Sequence, residues 1–217
     1  MNTKALVAEF VGTFALIFIG AGAGAIGVGG LVGVAFAHGL VVLGFAYAYG
    51  HISGTHINPA VTFGLLIGGE ISLQDAIGYW VVQLLGGIVG AFALSFALSG
   101  TEFANAGLGA TTLAAGVSPA AGFVVELLLT FFLVNAIFNT AVSGKAGNLA
   151  PVAIGLTLTF SILMGGPLTG ASLNPARTLG PAIASGNFAD IWLYFAGPLV
   201  GAALAALLYT NLLKPSK

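Results

Sequence analysis

Two stretches of this chain decide its fold because they align with each other without gaps: GLVVLGFAYAYGHISGTHINPA from Gly39 to Ala60, and GLTLTFSILMGGPLTGASLNPA from Gly155 to Ala176. Each begins as apolar helix, passes through a glycine-rich break and ends on Asn-Pro-Ala. In that tripeptide Asn favours the N-cap, Pro favours the first helical position and Ala continues a helix. A short helix is therefore predicted to open at Asn58, Pro59 and Ala60, and another at Asn174, Pro175 and Ala176. The connections that carry them, GHISGTHINPAVTFGLLIGG from Gly50 to Gly69 and GGPLTGASLNPARTLGPAIASG from Gly165 to Gly186, are apolar but too short and too glycine-rich to cross a bilayer, so both are expected to be re-entrant. Two further landmarks keep the same order. VAEFVGTFALIF around Glu9 recurs as VVELLLTFFLVN around Glu126, and GGIVGA from Gly86 recurs as GPLVGA from Gly197. The chain reads as a duplication, with halves 1–100 and 117–217 forming one domain over 1–217.

Composition points the same way. Of 217 residues only 5 are Lys or Arg and 6 are Asp or Glu, so 5% are charged, against about a quarter in soluble domains. Hydrophobic residues make up 58% and Gly occupies 34 positions, a mixture suited to helices packed closely inside a bilayer. The net charge of -1 offers no basic surface for nucleic acid. The expected partners are the lipid bilayer and small solutes. With no cysteine, disulfides, thiolate metal sites and thiol chemistry are excluded, and insensitivity to thiol reagents follows.

Hydropathy predicts six full spans, near 5–27, 32–50, 74–98, 119–140, 150–166 and 190–213. The first runs on at spanning length without a cleavage pattern and is read as a membrane helix, not a removable signal. The strict alternation of a membrane β-barrel is absent. Each half holds three spans, an odd number, so the second copy must enter the membrane from the opposite face. The expected fold is an all-α membrane protein with six transmembrane helices and two re-entrant half-helices in an inverted repeat. Lys4, Lys145, Lys214 and Lys217 fall on one side of such a chain, which the positive-inside rule assigns to the cytoplasm together with both termini.

Non-helical backbone inside a bilayer must be buried in protein or line a water-filled cavity. The expected departures are His51 to Ile57 and Pro167 to Leu173. Half-helices entering from opposite faces would aim two positive dipole ends at one spot, repelling cations. There the amides of Asn58 and Asn174 would accept from their own helices and offer N–H donors to a passing neutral solute. Arg177, the one arginine, is either an interfacial snorkelling side chain or a fixed positive charge at a constriction. Glu9 and Glu126, at matched positions inside spans, are candidates for a proton relay or, the preferred reading, for accepting from the N–H groups of their half's loop. His38 reads either as a core histidine satisfied by a carbonyl or as a functional one. His51 and His56 lack a third metal ligand at convincing spacing and are read as loop-bracing. Trp80, Trp192 and Tyr79 are assigned to the interfacial belt, and Gly86, Gly90, Gly197 and Gly201 to close helix packing.

The twin Asn-Pro-Ala boxes inside HISGTHINPAVT and TGASLNPART, with the AEFVGT opening, resemble the aquaporin, or major intrinsic protein, family over essentially the whole chain. The resemblance implies a homotetramer of right-handed six-helix protomers, each with its own pore for water or small uncharged solutes, closed to protons and without a cofactor. It implies a ladder of loop carbonyls at Gly54, Thr55, His56, Gly170, Ala171 and Ser172, and glutamates bracing the pore loops. It also implies a selectivity filter of His38, Ile162, Ala171 and Arg177. That set is similar to the filter of plant tonoplast intrinsic proteins, which implies ammonia as a solute beside water. Glycerol facilitators carry Asp after the second Asn-Pro-Ala-Arg and a basic residue four positions later. Here Thr178 and Ala182 stand there, with Tyr194 and Phe195 aromatic as in water channels. The expectation is a passive water channel, ahead of a glycerol or small-polyol facilitator and a proton-coupled transporter. An enzyme is not expected, since no nucleophile or metal cluster is visible.

Overall fold

The computed structural model describes residues 2–215, so Lys217 lies outside the described residues. Among the described residues, six helices are long and apolar enough to cross a membrane: α1 (Thr3–Ile26), α2 (Gly30–Ser53), α4 (Leu73–Leu98), α5 (Pro119–Val142), α6 (Gly147–Thr169) and α8 (Ile191–Leu213). Between them lie two short helices, α3 (Pro59–Ile67) and α7 (Pro175–Ser185). The outward faces of the long helices carry apolar side chains such as Leu40, Phe96 and Phe160, which a lipid environment accepts without hydrophobic cost.

The expected spans are recovered, but α2 and α6 each run three residues further than hydropathy indicated. His51–Ser53 and Pro167–Thr169 are helical, so the break begins at Gly54 and Gly170 instead of His51 and Pro167. The cause is backbone chemistry: Gly54 (φ 83°) and Gly170 (φ 78°) adopt the left-handed conformation that closes a helix, and glycine does so without steric penalty. Their N–H groups return to Gly50 O and Gly166 O. Hydropathy does not see this, because it registers the fall in apolar character and not the cap.

Asn58 and Asn174 cap α3 and α7 from extended backbone, each accepting from the N–H two residues on, with Pro at the first helical turn. The two helices enter from opposite faces. Glu70, just beyond α3, pairs with Lys214 at 3.9 Å, at the end of α8. Ser185, at the end of α7, instead lines a surface hollow with Asn105 and Leu108 of the connection that follows α4.

Repeat-related contacts locate the pseudo-two-fold relation. A Cβ on Gly39 would lie 2.6 Å from Gly155 O, and one on Gly155 would lie 2.7 Å from Gly39 O, so the equivalent residues of the two copies meet each other. The third landmark requires a correction. A Cβ on Gly86 would strike Phe10 O, next to Glu9, whereas it is Gly201 that meets Leu127 O, next to Glu126. Likewise Tyr79 donates to Ser53 O and Tyr194 to Thr169 O. The structural partner of Gly86 is thus Gly201, one helical turn beyond Gly197. Glycine recurs every four residues in both helices, so an alignment anchored on that spacing slides by one turn.

Candidate pore between the two half-helices

Where α3 and α7 meet head to head, each asparagine binds the other half's loop. Asn58 Nδ2 donates to Leu173 O at 2.9 Å, and Asn174 Nδ2 donates to Ile57 O at 3.0 Å. Asn58 Oδ1 accepts from Ala60 N at 2.8 Å, while Asn174 Oδ1 accepts from Ala176 N at 2.9 Å and Arg177 N at 3.2 Å. One N–H of each amide stitches the loops together, and each amide carries one more.

The loops themselves are held in an unusual backbone. Thr55, Ile57, Ala171 and Leu173 have φ of 51°, 41°, 46° and 54°, a region costly for residues with a Cβ and most of all for β-branched Ile57. Two buried carboxylates hold them there. Glu9 accepts from Ser53 Oγ, His56 N, Ile57 N and Gln83 Nε2 at 2.7, 2.9, 2.6 and 2.8 Å. Glu126 accepts from Thr169 Oγ1, Ser172 N and Leu173 N at 2.7, 2.9 and 2.8 Å. In a dry interior these N–H groups have no water to turn to, and each would cost about 1–3 kcal/mol if left unmet.

A narrow cavity of about 40 Å³ lies at this junction, room for about three water molecules at ~10–15 Å³ each. Its polar lining is Thr55, His56, Asn58, Ser172, Asn174 and Arg177, with His38. Leu16, Val42, Val61, Leu133, Ile137, Ile154 and Leu158 make the facing wall apolar. His38 Nδ1 sits 2.9 Å from Val34 O. A carbonyl only accepts, so Nδ1 carries the proton, and in the neutral ring Nε2 is the acceptor. Arg177 is 5% exposed and donates from Nη1 to Gly109 O at 2.6 Å. Among the described residues, His38 Nε2 and Arg177 Nε are the buried side-chain atoms without a hydrogen-bond partner. Both belong to residues lining this cavity.

The structure gathers only part of the expected set. Ile162 and Ala171 are buried, at 2% and 1% exposure, but do not line this cavity; Gly54 and Gly170 do not line it either. His56 binds Thr62 Oγ1 through Nδ1 at 3.1 Å, whereas His51 is exposed on the last turn of α2. Tyr79 is buried and Trp80 Nε1 donates to Pro59 O at 3.1 Å, so both serve the first re-entrant segment and not the interfacial belt. Trp192 is 53% exposed near the start of α8. Sequence reasoning missed Gln83, whose signal was an amide well inside an apolar span. It also missed the α4–α5 connection, where Thr111 Oγ1 meets Thr178 Oγ1 at 2.7 Å and Thr178 meets Ser172 Oγ at 2.6 Å. No group of three or more His, Cys, Asp or Glu positioned to hold a metal occurs among the described residues.

Six crossing helices around two opposed half-helices, with a narrow cavity at their junction, define a membrane protein of the channel type. The family model for major intrinsic proteins matches residues 1–209. A probable aquaporin TIP2-1 of Oryza sativa subsp. japonica is 42% identical over 221 residues, 96% of this chain and 87% of that one. The aquaporin TIP2-3 of Zea mays is 43% identical with the same coverage. A probable aquaporin TIP3-2 of Arabidopsis thaliana is 42% identical over 99% of this chain and 85% of its own length. The aquaglyceroporin of Plasmodium falciparum superposes with a TM-score of 0.86 at 27% identity, covering 98% of this chain and 97% of that one. The chain belongs to the major intrinsic protein family and is a multi-pass integral membrane protein.

Proposed function

We propose that this chain is a passive, bidirectional channel for water. The reading rests on one observation: the buried polar atoms left without a partner, His38 Nε2 and Arg177 Nε, belong to residues that line the same water-sized cavity at the meeting point of two helix N-termini. A solute that donates to His38 and accepts from Arg177 would satisfy both, and water does so. The two dipole ends and the guanidinium disfavour cations. A water oriented by the second N–H of each asparagine spends its lone pairs on the protein and cannot pass a proton along the file. In this reading His38, Ile162, Ala171 and Arg177 select. Gly54, Thr55, His56, Gly170, Ala171 and Ser172 offer carbonyls, and Glu9 and Glu126 brace the loops, their oxygens being occupied by loop donors. The alternative of a proton relay through these carboxylates loses its support for that reason.

Reconstituted vesicles should shrink faster than lipid controls under osmotic shock, with no added proton leak. Equal rates refute the proposal. Ammonia is a second solute, since it too donates to an imidazole nitrogen while accepting from a guanidinium. Internal alkalinisation of dye-loaded vesicles no faster than in controls rejects it. A glycerol facilitator is the weaker reading, because Thr178 is tied to Thr111 and Ser172, and Tyr194 is fully buried against Thr169 O. We further infer one channel domain over 1–217 built from halves 1–100 and 117–217, both termini cytoplasmic, and a homotetramer with a pore in each protomer. Lys214 beside Glu70 fits that orientation, and the exposed apolar face of α2, with Val32, Phe36 and Leu40, offers surface to lipid or to a neighbouring copy.

A further inference from the structure

We propose that Gly20, which lies behind the cavity and does not line it, sets the position of the His38 ring and thereby the width and selectivity of the passage. The proposal rests on the channel reading above. Gly20 sits in the π-helical turn Leu16–Ala21 of α1, a departure from regular helix that is common where function needs local re-aiming of a helix face. A Cβ on Gly20 would lie 2.7 Å from His38 Cδ2, 2.8 Å from Nε2 and 2.9 Å from Cγ. The ring therefore rests directly on the α1 backbone.

Three constraints then fix the imidazole. The bond from Nδ1 to Val34 O anchors one edge, α1 backs it at Gly20, and the remaining side faces the cavity that His38 lines. A methyl group on Gly20 has no room unless the ring moves. Since α1 is behind it, the move is toward the lumen and the unpartnered Nε2 goes with it. The other half supports this assignment. The repeat places Ile137 where Gly20 stands and Ile154 where His38 stands, and both of those isoleucines line the cavity. Two aliphatic side chains share that place in one half, whereas a glycine and a ring share it in the other. The small residue is thus specific to the histidine and not a general demand of helix packing.

The test compares wild type, Gly20→Ala, His38→Ala and the double variant in vesicles, by osmotic shrinkage and by ammonia-driven alkalinisation. Gly20→Ala should lower water permeability roughly tenfold, equivalent to about 1.4 kcal/mol on the barrier, and should change the water-to-ammonia ratio. In the His38→Ala background the same substitution should cost little, because the ring it displaces is gone. Wild-type vesicles no faster than lipid would defeat the channel reading itself. A permeable wild type with Gly20→Ala unchanged, or with an equal loss in both backgrounds, would overturn the role of Gly20. If the single variant yields no folded protein, recovery of folded protein by adding His38→Ala supports the contact, and continued loss overturns it.

Discussion

Glu9 and Glu126 are each completely buried, and a lone carboxylate there would be costly to bury. What makes them tolerable is that backbone N–H groups with no other partner point at them. Removing the charge while keeping the shape turns an acceptor into an amide whose NH₂ faces donors. Glu126→Gln should therefore lower stability by about 1–3 kcal/mol for each donor left unmet, read as a fall in thermal midpoint in detergent. The substitution should reduce water flux without creating or abolishing any response to a pH gradient. Arg177 invites a different substitution. Its Nη1 holds Gly109 O, so Arg177→Ala loses both the positive charge and the tether of the α4–α5 connection. Conductance measurements in planar bilayers should show a cation leak in this variant that the wild type lacks, and solute assays should show admission of larger neutral molecules. An unchanged cation barrier would assign the exclusion to the half-helix dipoles alone.

At the scale of elements, glycine positions divide by what faces them. A Cβ on Gly201 would strike Leu127 O across the α5–α8 contact, whereas one on Gly44 meets nothing within 4 Å. Gly201→Ala should thus separate two backbones, with a loss of about 1–3 kcal/mol as in other overpacked sites. Gly44→Ala should be neutral or stabilising by up to ~1 kcal/mol from helix propensity. Thermal melting of the two variants side by side checks the contrast. The half-helices show how element and residue cooperate: the cap and the Pro start each helix locally, but the reciprocal Asn58–Leu173 and Asn174–Ile57 bonds exist only once both halves are assembled.

For the whole molecule the decisive features are symmetry and the absence of cysteine. Opposed half-helices require both halves, so neither half alone completes the cavity, whose lining draws on Leu16 and His38 of one and Ile154 and Arg177 of the other. A chain with no cysteine should keep its full water permeability in mercurial reagents that act on thiols. Introducing one thiol at Val42, on the cavity wall, should make flux sensitive to the same reagent. Inhibition of the wild type would contradict this placement of function.

Membrane residence, the helix starts at Asn58 and Asn174 and the pairing of Glu9 with Glu126 were legible from the residues alone. These depend on local chemistry: hydropathy along a span, a capping side chain, a repeated spacing. The Gly86–Gly201 register, the use of one asparagine donor across the junction and the support of Arg177 by Gly109 were not legible. Nor was the packing of His38 on Gly20. Each depends on which atoms from distant parts of the chain come within a few ångströms, and a pattern read along one dimension carries no information about distances across the bundle.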